Sequence, residues 1–522
     1  MINIIVSFFV KKFFYKPYTY FVSRNYYSES YEFNFQNIFF ADTEYLKKIF
    51  LSNKFFTEKN INELNLNYHS FDWLNIAKKI GGAENVTRAK NHIFNWYKKK
   101  YYKILSTMET ILICKRFINI IYNYDFFALT ASESDKKKIH KIILEHYILV
   151  NFAIKNKKYF DIRIEELKAL ILGSFIYQKN IDNNLYLLKK LLTAQIDRNG
   201  FHKSYSSLQQ AEFLNNLHEI KNIILFFKES APKELSFQIA NMSSVLMNFL
   251  HKDGSLALFN GSNNFYIKEI NQLIRQETDI KPKEFYEINN GISSYTDKNK
   301  KIFMDVVLPT NYLINNNLHA STLSFELSCL NEKIITNCGS VEKRVGQKPE
   351  YLRYSAAHST VILNNTNISE LVAKKSYKRI PNKIYFNSEI NERYTIWNAS
   401  HDGYLNNFNK IIRRKLIIAN NKNLIFGEDS IIPTKLKSKK ISYSIRFHLM
   451  PYCNCLLTND RKSIIIKTKL NQTWIFKSSS LISLENSIYI GNGKRIEQNN
   501  QIVINGTIDD KKKIENWSFT KS

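Results

Sequence analysis

The stretch that decides the fold runs from Leu318 to Ser340, LHASTLSFELSCLNEKIITNCGS, and resumes from Tyr351 to Glu370 as YLRYSAAHSTVILNNTNISE. Apolar and polar residues alternate over Thr322–Ser328 and again over Ser359–Leu363. A period of two is the strand signature, because successive side chains point to opposite faces of a sheet. Each run follows a histidine with Ala and Ser close by, His319 before Ala320-Ser321 and His358 between Ala357 and Ser359. A polar side chain among small neighbours at a strand entrance can reach a cleft, which makes these two histidines the leading candidates for chemistry.

Glycine and proline usage extends this reading outward. Before residue 250 the only glycines are Gly81, Gly82, Gly173 and Gly200, and the only prolines Pro17 and Pro232; both become frequent afterwards. Residues that break helices and build turns are thus concentrated in the second half. The first half reads as long helices over Phe71–Ile80, Ala83–Tyr97, Ile104–Tyr122, Ser134–Asn156, Arg163–Gln178, Asn184–Ile196, Leu208–Lys228 and Leu235–Leu250. The second reads as strands over Lys383–Phe386, Tyr394–Trp397, Ile411–Ala419, Tyr443–Leu449, Ser463–Thr468, Thr473–Phe476, Ser487–Ile490 and Gln501–Asn505. The polar segment between residues 276 and 300 marks the change from an α half to an antiparallel β-sandwich.

At 522 residues the chain can bury two or three cores, and 44% apolar residues exclude a disordered composition. The five cysteines show no paired spacing of the kind zinc sites use, and their odd number argues against a disulfide scaffold. A formal net charge of +29 would concentrate a polyanion near the chain, and solvated lysine from a Lys-, Asn- and Ile-rich composition accounts for it equally well. No helix-turn-helix, finger or RNA-binding signature accompanies it, so no nucleic acid is expected. Walker, GxGxxG, HExxH and GxSxG motifs are absent, which removes nucleotide, zincin and α/β-hydrolase readings. The apolar run Ile2–Val10 has no basic residues before it and no small-residue cleavage site after it, so no clear signal peptide is read and a cytoplasmic location stays open. Lys11, Lys12 and Lys16 suit peripheral contact with a membrane surface.

Further polar clusters supply candidates. The turn DRNGFHKSYSS places His202 and Tyr205 three apart, with Ser206 or Ser207 an ordinary N-cap for the helix that follows. His401 stands beside a carboxylate and a turn glycine in HDGY. Arg446 and His448 are two apart in IRFHL and therefore share a strand face.

Taken in order, FDWL with the following GG, DRNGFH, HKDGSLALFNGS, HASTLSFELS with ITNCGS, RYSAAHSTVILNNTNIS, HDGYLNNF, GEDSI, IRFHL, SIYIG, QIVINGT and NWSF resemble the heparinase II/III-like polysaccharide lyases, particularly an alphaproteobacterial-type branch. The resemblance implies an α+β multidomain chain: an N-terminal extension over 1–65 packing on an α/α toroid over 66–280, then an antiparallel β-sandwich over 290–522. It implies β-elimination on an acidic, uronate-containing polysaccharide, in the cell envelope or periplasm, with no cofactor. Catalytic candidates are His202, Tyr205, His319 and His358; Arg353, Asn337, His401 and Arg446 are substrate-binding candidates. Arg353 would hold the uronate carboxylate, and basic residues are expected along the cleft between the domains.

Some relatives carry a metal near the first histidine. Here Asn337 and Ile412 stand where an Asp and a His would be, so no metal ligands are assigned. The tyrosine of well-studied lyases falls at Gln209 in this register, with Tyr205 displaced from it. These departures support a second reading, a non-catalytic glycan-binding envelope protein with a degenerate site. Oligomeric state is not legible.

Overall fold

A computed structural model of the chain describes residues 38–52, 66–98, 110–155, 157–158, 161–276, 280–285, 290–309, 318–342, 349–372, 376–435 and 440–522. Lys11, Lys12 and Lys16 and most of the N-terminal extension lie outside them. Two compact units emerge, one formed by residues up to 195 with 213–239 and the other by 196–212 with 240–522.

The first unit is helical: α1 (Thr43–Leu51), α2 (Leu66–His69), α3 (Trp73–Ile80), α4 (Ala83–Lys98), α5 (Thr110–Tyr122), α6 (Tyr124–Phe127), α7 (Glu133–Lys155), α8 (Ile164–Ile176) and α9 (Asp182–Gln195). It also holds most of α10 (Ser207–Phe227) and the first part of α11 (Lys233–Asn248). The described part of the extension docks here, with Ala41 and Leu46 against Ile76. Helix α3 stops where Gly81 takes a left-handed φ of 68°, as the glycine pair predicts. Helices α7 and α8 approach closely because position 173 has no side chain: a Cβ there would lie 2.2 Å from the Tyr147 ring. Among the described residues no helix is long and apolar enough to cross a membrane.

The second unit adds α12 (Ile267–Arg275), a short α13 (Leu405–Phe408) and two eight-stranded antiparallel sheets. The first sheet runs β1 (Ile292–Thr296), β2 (Lys300–Asp305), β3 (Phe325–Cys329), β4 (Glu332–Thr336), β12 (Ile441–Leu449), β17 (Glu497–Ile508), β16 (Ile482–Tyr489), with β5 (Val361–Leu363) also on β12. The second runs β13 (Asn454–Leu457), β14 (Ser463–Lys467), β15 (Thr473–Ser478), β18 (Lys513–Lys521), β11 (Leu424–Pro433), β10 (Lys410–Ala419), β9 (Tyr394–His401), β8 (Ile384–Ile390). A ribbon of β6 (Glu370–Val372) and β7 (Ser376–Arg379) stands apart.

Aromatic side chains join the two sheets. Phe325 of β3 stacks on Trp517 of β18 at 5.6 Å, and Phe447 of β12 meets the same indole at 4.8 Å. Amid them lies Arg414 of β10, fully buried and paired with Asp429 through bonds of 2.7 and 2.9 Å. Its Nη1 donates to the carbonyls of Leu323 and Ser359, 2.9 and 2.7 Å away. One buried cation thus ties both histidine-bearing segments to the opposite sheet. Replacing Asp429 with Ala strands that charge, and urea unfolding is expected to show a loss of about 3–5 kcal/mol; a loss below about 1 kcal/mol would show that the pair is not needed.

Two sequence expectations shift. Strand β3 begins at Phe325 rather than Thr322, because Leu323 is left-handed (φ 58°) and the Ser324 N–H turns back to the Ser321 carbonyl at 2.8 Å. The end of the polar boundary segment is already sheet, since β1 opens at Ile292. All of β3 is buried, although alternation implies one wet face. The loop His251–Ser262 covers that face: His251 bonds to Glu326 and Ser328, and the Leu258 N–H to Glu326.

Candidate active site in the sandwich unit

Both histidines of the opening stretch meet. His319 Nδ1 lies 3.1 Å from His358 Nε2, with the rings edge to face. The Tyr354 carbonyl, which can only accept, lies 2.8 Å from His358 Nδ1 and therefore fixes the proton on that nitrogen. His358 Nε2 then offers a lone pair, His319 Nδ1 donates to it, and the lone pair of neutral His319 is on Nε2. Burial lowers the pKa of His358 to about 4, against small opposing pulls from the Tyr354 carbonyl and Glu326, so it is uncharged near neutrality and keeps this arrangement.

A single side chain joins this pair to the His202–Tyr205 loop. Asn260, fully buried and left-handed at φ 49°, accepts from the His319 N–H at 3.1 Å and donates from Nδ2 to the Tyr205 carbonyl at 3.2 Å. This loop groups with the sandwich unit, not with the helices that precede it. It is not the start of a helix: His202 pairs across a bridge with Ile196, Tyr205 is left-handed at φ 50°, and α10 begins only at Ser207 behind an Ser206 cap. The two side chains accordingly diverge. His202 Nδ1 accepts from the Ser204 N–H at 3.2 Å, while the Tyr205 hydroxyl turns to Asp197 at 3.5 Å. Burial lowers His202 to about 4, and burial together with Asp197 raises the Tyr205 phenol, which stays protonated.

Beneath the histidine pair is a polar node that takes in the candidate Asn337 and centres on Glu326, a residue absent from the sequence-based candidates. Glu326 accepts from His251 at 2.9 Å, Lys333 at 3.2 Å, the Asn337 N–H at 2.8 Å and the Leu258 N–H at 3.0 Å. Burial alone would raise this carboxyl; Lys333 and His251 hold it down at about 2. Asn337 Oδ1 accepts from the Ser359 N–H at 3.1 Å, and its Nδ2 is a buried donor with no hydrogen-bond partner among the described residues. His448 adjoins the cluster, bonded to the Ala356 carbonyl at 3.0 Å and to Ser487 at 2.8 Å, with its pKa brought to about 3 by burial and by His358 and Arg446.

The remaining candidates take other positions. Arg353 spends Nε and Nη2 on the Leu318 carbonyl, 3.2 and 3.1 Å away, and so braces the residue before His319. Arg446 bonds Gln501 at 3.0 Å and reaches Glu485 at 3.6 Å. His401 is fully buried at the end of β9, accepts from the Gly403 N–H at 3.1 Å, and is held near 3 by burial and by Arg414 and Arg379.

A metal does not fit these residues. Ile412 is buried and apolar, Asn337 is neutral with its oxygen already engaged, and no group of three His, Cys, Asp or Glu suited to a metal occurs among the described residues. The groups gathered here are imidazoles, a buried carboxylate held by Lys333, and amide donors.

The family model described as "Heparinase II/III-like, C-terminal" matches residues 286–518. FtsZ-localized protein C of Caulobacter vibrioides is 23% identical over 316 residues, 58% of this chain and 54% of that protein, so the match spans about half of the curated relative's length. Among solved structures, heparan sulfate lyase HepC from Pedobacter heparinus is similar with a TM-score of 0.63 at 12% identity, over 95% of this chain and 85% of that one. Heparinase III gives a TM-score of 0.69 at 13% identity, over 87% and 76%. The fold is therefore an N-terminal α/α toroid followed by a C-terminal antiparallel β-sandwich, and residues 286–518 of that sandwich unit match the heparinase II/III-like C-terminal family model.

Proposed function

We propose that this protein cleaves a uronate-containing polysaccharide by β-elimination, with His319 as the base. The observation that carries the reading is the 3.1 Å His319–His358 bond, whose proton order leaves the lone pair of His319 on Nε2. In the reaction, Nε2 takes the proton from the carbon next to the uronate carboxylate. The electron pair forms a carbon–carbon double bond, the glycosidic carbon–oxygen bond breaks, and the leaving oxygen acquires a proton. Tyr205, whose phenol stays protonated, is the acid candidate of the right chemical type. Carbanion character develops on the deprotonated carbon and its charge spreads into the adjacent carboxylate, where donors stabilise it. Asn337 Nδ2, buried and unpartnered, suits this role. The substrate class follows the heparan sulfate lyases that share the fold, and an envelope location accords with a polymeric glycan.

Mass spectrometry of digested polyuronate tests the reaction type. Elimination yields fragments whose masses sum to that of the parent chain, whereas hydrolysis adds one water per cut. Products carrying the extra water would overturn the reading.

A second reading, glycan binding without turnover, is favoured by the Tyr205 hydroxyl facing Asp197 and by the burial of all four catalytic candidates. Under it the same polymers bind and no fragments appear.

A further inference from the structure

We propose that Tyr351 and Tyr354 form a sugar-stacking platform beside the histidine pair, taking pyranose rings of the acidic glycan on either side of the bond to be cut. This inference rests on the glycan reading above. Both side chains belong to the largest apolar groups left in water, 45% and 42% exposed, within seven residues of His358. Tyr351 lies within the 3₁₀ turn Glu350–Arg353 and Tyr354 caps its end, the Tyr354 N–H closing onto the Tyr351 carbonyl at 3.1 Å. Residues three apart along such a turn fall on the same face of it, which places Tyr351 and the capping Tyr354 on one side.

Nothing about this turn is loose. Leu352, between the tyrosines, is buried with Cys338, Ala357 and Ile490. Arg353 grips the Leu318 carbonyl, the Ala320 N–H returns to the Arg353 carbonyl at 2.9 Å, and Ser355 Oγ donates to the Ala320 carbonyl at 2.8 Å. The Tyr354 carbonyl is the group that fixes the His358 tautomer. The backbone that orients the candidate base thus also presents the two rings, with an arginine between them.

A lone exposed aromatic needs no explanation, but two on one rigid turn joined to a polar site do. Tyrosine offers an apolar face to the C–H side of a pyranose and a hydroxyl to its rim, a combination suited to sugars. Stacking fixes the ring plane and leaves the carboxylate to hydrogen-bond donors, so specificity for acid and affinity for sugar come from different residues.

Calorimetric titration of the full chain with hexasaccharides from heparan sulfate and from alginate, and with neutral cellohexaose, tests this. Tyr351→Ala and Tyr354→Ala are each expected to weaken binding of the acidic oligomer roughly tenfold, and the double variant more, with an unchanged circular dichroism spectrum. Tyr354→Phe, which keeps the ring, should bind within about threefold of wild type. If the double variant binds as wild type does while unsaturated product still forms, the platform falls and the elimination reading stands. If binding weakens as expected and no product ever forms, the elimination reading falls and the platform stands. Failure of the wild type to bind any of the three oligomers overturns both.

Discussion

His319→Ala is expected to lower turnover of a cleavable polyuronate by roughly two to four orders of magnitude, the usual contribution of a positioned acid or base. The loss should appear in kcat more than in KM, because Nε2 acts on the proton in flight and the ring contributes little to holding the chain. Folding should survive, since the backbone N–H to Asn260 is retained and His358 keeps its own bond to the Tyr354 carbonyl. His358→Phe is expected to act through its neighbour: without an acceptor at Nε2, His319 can exchange tautomers, and turnover should fall by less than in His319→Ala. Unchanged turnover in His319→Ala would remove this residue from the mechanism.

Acid lability is the second large effect. His202 and His358 are held near 4, and His401 and His448 near 3, in each case chiefly by burial. Unfolded, each takes up a proton at about 6.5. Between 6.5 and 4 the unfolded chain therefore binds more protons than the folded one, so stability is full above that window and is lost as pH falls through it. Each of the four should cost about 2 kcal/mol at pH 5 relative to pH 7. Together that is about 8 kcal/mol, within the roughly 5–15 kcal/mol that stabilises a typical domain. His251 acts in the same direction. Asp305 opposes it, because burial raises its pKa to about 6 and the folded state then gains a proton first; one carboxyl offsets only about one histidine. A pH titration followed by near-ultraviolet circular dichroism should show the sandwich unit unfolding between pH 6.5 and 4. A native signal with undiminished urea resistance at pH 4 would contradict the burial of these rings.

What the sequence made legible follows from which forces are local. Helix α3, α4 and α7 to α11 lie within a few residues of their expected bounds, since apolar period and breakers such as Gly81-Gly82 are properties of neighbouring residues. Strands β8 to β10, β12, β14, β15 and β17 also overlap the expected runs, whereas β16 opens at Ile482, ahead of the expected Ser487. β11 and β18 went unread, although the GEDSI and NWSF segments lie within them. β11 holds Gly427 where a Cβ would strike the Trp517 indole at 2.1 Å, so a residue that reads as a turn marks a close cross-strand approach.

Within the site, His319 and His358 were legible because small residues flank them. Glu326 and Lys333 were not. On an alternating strand each reads as the solvent-facing partner of an apolar neighbour, and only docking of the His251–Ser262 loop reverses that meaning. A charged residue of each sign within two short strands, close to a histidine-bearing loop, was the available signal. Asn260 was invisible for a different reason: its function is to bridge segments 55 and 59 residues away, and no local pattern records such a span.

The central claim is tested most directly by incubating the purified full chain with heparan sulfate, alginate and other polyuronates while following ultraviolet absorbance, with His319→Ala alongside. Elimination creates a carbon–carbon double bond conjugated to the carboxylate. The account predicts that absorbance rises with at least one polymer for the wild type and stays near baseline for His319→Ala. A flat trace with every polymer that measurably binds, or an equal rise in both proteins, would contradict it.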